Sequence, residues 1–446
     1  MAFLTLLDDR AKPKGSRDPL GFEMVWTHFG RRVIGNLTTI TSSLGNFATA
    51  LLGFKWCNEL NAHYPEHERY LKIQEAFLRY EQLAGYLRFL GRDNEIMGIT
   101  RVRKRLEDPN RAITFGLGAE QLILSDQASY GLWGLYSTAL RDTDLVDGEE
   151  RQLTAQGHAI AEHIEKKLGQ ENCEALLEIF TSNARFGDDE LEPYARAFVR
   201  AIDAKPVREA LRDALLRGNP RHELQAELWD ITQAVARSNI RNMSLERFID
   251  EVRKRTKVDR LADCLTDIER VERLLVATNN VFHYCRRKDG ETVSTILQEL
   301  KDRYRYDHLP RELDLSLVPR GEALTEILDA LHQNDQPRVL ECILQLNKAV
   351  MEQRGGAPWV EVEDGKTLRV KVPSETAELK DQAALENAWD YDYFIDSYMR
   401  VANDGLEAGW KLQSSRTGSG NSWMAAPSRP PSSRLIPSSR SFLSWK

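Results

Sequence analysis

Apolar residues recur at three- and four-residue spacing along most of this chain, the period of a helix with one buried face. The first such run is FEMVWTHFGRRVIGNL, which places Phe22, Val25, Trp26, Phe29 and Val33 together. In the next, TTITSSLGNFATALLGFKWCNEL, Ser42 or Ser43 can cap a helix through Phe47, Leu51 and Phe54. The clearest amphipathic stretch of the first third spans 66–91, with a stripe of Tyr70, Ile73, Phe77, Tyr80, Leu83 and Leu87 and with Gly91 as its stop. Further helices are expected at 130–142, 155–168, 171–183, 190–203, 206–217, 221–237, 244–257, 259–287, 292–304, 320–333, 336–353 and 384–404. Pro193, Pro206 and Pro220 stand near helix starts, where a missing N–H costs little. A hairpin is read in WVEVEDGKTLRVKV: Trp359, Val360 and Val362 lead into Asp364 and Gly365 as a two-residue turn, and Leu368, Val370 and Val372 return. The pattern predicts a mainly α, multi-domain helical protein with a small β-hairpin near 358–373.

The same pass suggests an order of regions. A helical region occupies 1–94, its first 19 residues reading as an unstructured lead. A distinct unit follows at 95–168, then a helical domain at 169–310 and a C-terminal helical region with the hairpin at 311–411. The stretch 412–446 holds eleven serines and four prolines in 35 residues and reads as a disordered tail, with too little apolar surface to fold. Its Trp423, Phe442 and Trp445 suit a short partner-binding motif, or equally a tail that is not native. No run approaches the roughly 18 apolar residues of a membrane helix. Asp8 and Asp9 follow the short apolar start at once, unlike a secretory signal, so a cytosolic protein is expected.

Charge is informative by its distribution. The net charge of −7 divides into +3 over 1–110, −9 over 111–230, +2 over 231–300, −8 over 301–411 and +5 over 412–446. Acidic blocks suit basic protein partners, and basic ones suit nucleic acid. The candidate phosphate contacts are Arg101, Arg103, Lys104 and Arg105 in RVRKR, and Arg253, Lys254 and Lys257 with Arg260 in RKRTKVDR. Arg253, Lys257 and Arg260 are expected on one helix face at i, i+4 and i+7. A third basic run is Arg286, Arg287 and Lys288.

Catalytic chemistry finds little to use. Cys57, Cys173, Cys264, Cys285 and Cys342 form no C-x-x-C pair and are expected as reduced thiols. His283 and Cys285, two apart on a helix, diverge by roughly 200° and make no metal pair. FGLGAE lacks the third glycine of a dinucleotide loop, and no phosphate-binding G-x-x-x-x-G-K-[ST] occurs. Glu361, Glu363 and Lys371 on the hairpin lack a further carboxylate at a fixed spacing. No catalytic residue, metal or cofactor is assigned.

ALRDTDLVDGEERQLTAQGHAIAEHI, 139–164, resembles the recognition helix, wing and closing helix of winged-helix proteins. The resemblance covers 95–168 and rests on the L-x-x-x-x-LV and LT-x-x-G-x-x-x-A spacings. It implies a compact helical unit with a short two-stranded wing. Base readout needs exposed Arg, Lys, Asn or Gln, whereas this helix offers Arg141 beside Asp142 and Asp144. The outline therefore suits packing or protein contact. In general texture, RDPLGFEMVWTHFGRRVIGNLTTITSS and GGAPWVEVEDGKTLRVKV are similar to helical accessory proteins of bacterial anti-phage defence systems, which implies partners that act on foreign DNA. Three functions follow in order: a non-catalytic scaffold or adaptor subunit, a nucleic-acid-binding protein or transcriptional regulator using the basic clusters, and an enzyme whose site assembles from distant residues.

Overall fold

The computed structural model describes residues 13–108, 112–237, 243–374 and 379–404. The elements of the first half are α1 (Glu23–Arg31), α2 (Leu44–Asn61), α3 (Glu66–Leu90), α4 (Ile99–Leu106), α5 (Gln127–Tyr130), α6 (Leu132–Arg141), β1 (Val146–Asp147), β2 (Gln152–Leu153) and α7 (Ala155–Leu168). Then come α8 (Gln170–Thr181), α9 (Asp188–Ile202), α10 (Lys205–Arg217), α11 (Glu223–Arg237), α12 (Leu245–Arg255) and α13 (Asp259–Cys285). The last are α14 (Val293–Arg303), α15 (Gly321–His332), α16 (Gln336–Gln353), β3 (Val360–Glu363), β4 (Thr367–Val370), α17 (Gln382–Glu386) and α18 (Ile395–Asn403). The protein is mainly α with a small hairpin, as the periodicity predicts. The tail at 412–446 lies outside the described residues.

Two helices organise the rest. α2 buries thirteen of its eighteen residues, so it is apolar on nearly every face. Around it pack α3, α6, α7, α9 and α10. Ser43 accepts from the Asn46 N–H and starts the helix. Gly53 lies beneath Tyr80, and a Cβ there would overlap the ring. That small residue lets Phe54 stack on Phe77 at 4.6 Å and Trp56 meet Tyr80 edge-on at 5.7 Å. α13 does the same in the second half, packing against α1, α11, α12, α15, α16 and α17.

Polar side chains join the two halves. Asn36 donates to Thr143 Oγ1 and to the Leu215 carbonyl, both at 2.8 Å, and accepts from Gln225 at 2.9 Å. Gln225 also accepts from the Gly35 N–H at 2.9 Å. All of Asn36, Thr143 and Gln225 are buried, so each lost partner would leave an orphaned polar group costing about 1–3 kcal/mol.

Several local expectations change. Residues 13–19 do not hang free. Pro13 bridges Ala357, Trp359 Nε1 donates to the Lys14 carbonyl at 2.9 Å, and Asn347 donates to the Pro19 carbonyl at 2.9 Å. Gly91 closes α3 with φ −76°, and the left-handed residue is Arg92. Glycine is needed at 91 for space, since a Cβ would stand 2.5 Å from Val199 Cγ2 on α9. Pro193 sits inside α9, beyond its first turn. In the hairpin Asp364 and Gly365, both with positive φ, are central in the turn closed by Lys366 N–H to the Glu363 carbonyl at 3.1 Å.

The largest departure is at 384–404, where one helix becomes α17 and α18 with an irregular 387–394 between them. Glu272, fully buried on α13, is the cause. Its carboxylate accepts from the backbone N–H groups of Asp390 and Tyr391 and from the Tyr393 hydroxyl at 2.6 Å. Those N–H groups are therefore unavailable to a helix. Tyr393 and Phe394 then adopt positive φ, the Tyr393 carbonyl lies against Gly30, and Phe394 packs between Trp26 and the Arg31 guanidinium.

Burial raises the Glu272 carboxyl to about 8, against the favourable effect of its hydrogen bonds. A carboxyl raised on folding binds more protons in the folded than in the unfolded chain between its ordinary value of 4.5 and about 8. Its contribution to stability is therefore greatest below that window and falls as pH rises through it. Chemical denaturation at pH 5, 6.5 and 8 is expected to show this decline, and Glu272→Gln, which keeps an acceptor without a charge, is expected to flatten it. An unchanged pH profile in the variant would disprove the assignment.

Candidate functional site

The basic run at 101–105 forms most of α4, and helical geometry divides it. Arg101 and Arg105, one turn apart, face inward. Arg101 Nη1 donates to the Leu122 carbonyl at 2.9 Å. Arg105 is only 7% exposed and donates to the Gln121 and Leu122 carbonyls, each at 2.8 Å. The two guanidinium groups thereby satisfy acceptors of an irregular stretch that has no ladder of its own. Arg105 also borders a cavity of about 350 Å³ with Tyr86, Gln121 and Arg185. Arg103 and Lys104 point outward, Arg103 in loose contact with Glu107 at 4.0 Å.

The second run does not share one helix face. α12 ends at Arg255, Thr256 is extended, and α13 begins only at Asp259. Thr256 Oγ1 accepts from the Val258 N–H at 3.1 Å and donates to Glu227 at 3.3 Å, a local alternative to helical hydrogen bonding. Lys257 is thus between helices and Arg260 on the next one. Arg253 pairs with Asp250 and with Glu269 at 2.8 Å, and Lys254 lies 3.8 Å from Glu251. Lys257 and Arg260 are exposed. The third run is likewise engaged. Arg286 donates to the Val372 and Pro373 carbonyls at 3.0 Å, Arg287 to Ser374 at 3.1 Å, and Lys288 pairs with Glu299 at 2.8 Å.

At 132–168 a mostly buried helix is followed by a short two-stranded turn, exposed at Asp147, Gly148 and Glu149, and by a second helix. β1 and β2 pair antiparallel, with Val146 opposite Leu153 and Asp147 opposite Gln152. Thr154 caps α7 by accepting from the Gly157 N–H at 3.2 Å, and a side chain at Gly157 would collide with the Leu145 carbonyl. These contacts give the LT-x-x-G spacing its physical reason. The helix that would read bases, α6, leaves only Thr138 exposed. Its N-terminus is held by buried Glu81, which accepts from the Leu132 N–H at 2.5 Å and from Gln127 at 2.9 Å. Burial raises that carboxyl to about 7.

Five unpaired thiols are present, all buried except the partly exposed Cys173. Among the described residues no three His, Cys, Asp or Glu side chains are placed to hold a metal ion, and no helix is long and apolar enough to cross a membrane. Lys371 pairs with Glu361 across the hairpin.

A surface unmarked by any motif lies between α15 and α16. The groove there has a volume of about 480 Å³ and is lined in part by Val318, Ala323, Leu346 and Ala349, with Glu322 and Glu326 among its polar residues. At its edge the chain turns through Leu315–Val318, closed by Val318 N–H to the Leu315 carbonyl at 3.1 Å and braced by Asp314 accepting from Ser316. Leu317, between two groove-lining neighbours, is 87% exposed. An apolar residue in a proline-bounded loop was the available signal in sequence. Its exposure depends on the turn. No protein-family model matches the chain, and no curated protein or solved structure matches it either.

Arg105→Ala, which leaves the Gln121 carbonyl without its guanidinium donor and the Leu122 carbonyl with Arg101 alone, is expected to cost about 1–3 kcal/mol in urea unfolding. The exposed pair Lys104→Glu and Lys257→Glu should stay within about 0.5 kcal/mol of the parent. Equal effects of the two changes would contradict the division of roles.

Proposed function

We propose that this protein is a non-catalytic scaffold or adaptor subunit of a larger assembly, one that acts on DNA through its partners. The α15–α16 groove with Leu317 at its edge carries the reading. A single exposed leucine needs no explanation by itself. Here a hydrogen-bonded turn holds it beside a partly apolar groove, within a block of net charge −8. The occupant that fits is a protein segment with an apolar face and basic flanks, attracted by the acidic block and anchored in the groove. The engagement of most predicted basic side chains with the protein's own carbonyls and carboxylates supports the same reading.

Direct nucleic-acid contact is the second reading, favoured by the outward positions of Lys104, Lys257 and Arg260. It requires binding that weakens steeply with salt. Affinity purification from the native host, with and without nuclease, separates the two. The adaptor reading expects a stoichiometric protein partner that survives nuclease and is lost with Leu317→Asp, while the melting temperature is unchanged. Nucleic acid alone, removed by nuclease or high salt, would replace it with the second reading. A partner retained in full by Leu317→Asp would move the docking face elsewhere.

A further inference from the structure

We propose that residues 3–9 of this chain, which lie outside the described residues, dock in cis into the α15–α16 groove and cover it until a partner displaces them. The inference rests on the reading of that groove as a docking face and adds its regulation. The run FLTLLDD opens with Phe3, Leu4, Leu6 and Leu7, four large apolar residues within five positions. Burying so dense an apolar run is favourable wherever the chain can reach a matching surface. The groove offers one in Val318, Ala323, Leu346 and Ala349, beside the exposed Leu317.

The described chain delivers the segment to this place. Running backwards from α1, Gly21 lies against Val350 and the Arg320 guanidinium, the Pro19 carbonyl accepts from Asn347, Arg354 donates to Ser16, and Pro13 bridges Ala357. Residues 13–21 thus follow the last turns of α16, and Ala349 on one of those turns lines the groove. From Ala349 to Ala357, half of it helical, the chain spans at most about 20 Å. Leu7 stands six residues before Pro13, a reach of about 20 Å, and Phe3 stands ten before it, a reach of about 33 Å. The apolar run is therefore long enough to lie along the groove from its near end outward.

Charge sets the direction. Arg320 stands at the near end, where it donates to Gln353 and forms no ion pair among the described residues. Asp8 and Asp9 follow the apolar run at once and fall beside it, with Arg10 next in line to answer Glu322. Glu326, towards the other end, is already paired with Arg338 at 2.7 Å, so its charge is compensated where the leucines would lie. With Asp8, Asp9, Arg10 and Lys12 the segment is neutral as a whole. It gains little from a block of net charge −8, whereas a partner with basic flanks gains from it and wins the groove.

The test is fluorescence anisotropy with a labelled peptide of residues 1–12, titrated with the full chain and with full-chain Leu4→Asp, Leu7→Asp, whose own segment is disabled. Tethering gives the segment an effective concentration on the order of 1 mM, so one of about 100 µM affinity weakens a competing copy about tenfold. The peptide is expected to bind the double variant about tenfold more tightly than the parent. Leu317→Asp added to the double variant should abolish that binding while the melting temperature stays unchanged. Equal affinity for parent and double variant, binding to neither, or binding that Leu317→Asp leaves intact would overturn the inference. The docking reading is judged separately, by the native partner. A partner lost with Leu317→Asp when the peptide fails refutes the segment as occupant and leaves the groove standing. A partner indifferent to Leu317→Asp refutes the groove as a docking face.

Discussion

Backbone groups in irregular segments must find hydrogen-bond partners once they are buried, and this protein meets that constraint with charged side chains. Arg101 and Arg105 bind the 121–122 carbonyls, Arg286 and Arg287 those of 372–374, and Arg31 those of Ile34, Gly35 and Leu37. Arg79 meets the Phe180 and Thr181 carbonyls where α8 ends, the end of a helix that attracts positive charge. Carboxylates do the converse for N–H groups: Glu81 at the start of α6 and Glu272 at 390–391. The planar guanidinium, with five donors, can hold two carbonyls of one loop at once. The helices depend on these clamps because most of the clamped carbonyls lie on the longer connections, those after α1, α4 and β4.

That dependence explains what could and could not be read from the amino acids. Helix positions were legible because burial on one face leaves a period, and Ser43, Thr154 and Gly157 marked ends through local contacts. The Asp364 and Gly365 turn was legible for the same reason. The division of RVRKR was not, because the acceptors that draw Arg101 and Arg105 inward are backbone carbonyls, which every residue possesses. Nor does a 3.6-residue period in 384–404 disclose that a carboxylate more than a hundred residues earlier removes two of its N–H donors. Thr256 broke a predicted shared face by one hydroxyl. The groove at Leu317 left no motif, since its walls come from two helices and its edge from a turn.

Charge held inside also shapes the outside. Many of the arginines that look like a phosphate-binding surface in one dimension lie under it in three, and acidic side chains dominate the blocks at 111–230 and 301–411. An acidic exterior favours encounter with basic surfaces and is screened beyond about 8 Å at physiological salt. Association through such a surface needs a short-range apolar anchor as well as attraction. An adaptor of this kind would recognise its partner by shape at the anchor and by sign around it.

The docking of residues 14–19 onto α16 and the start of the hairpin has a consequence for biosynthesis. Lys14 and Pro19 are bonded by residues 345 and 328 positions further along. At roughly 5–20 residues per second, a ribosome needs on the order of a minute or less to deliver those partners. The segment preceding α1 leaves the exit tunnel well before its resting place exists. α1 and the residue before it present Phe22, Trp26 and Phe29 and must wait for α13, then for Tyr393 and Phe394. Vectorial synthesis can complete the cluster around α2 early, but the first helix is sealed only when nearly the last has been made.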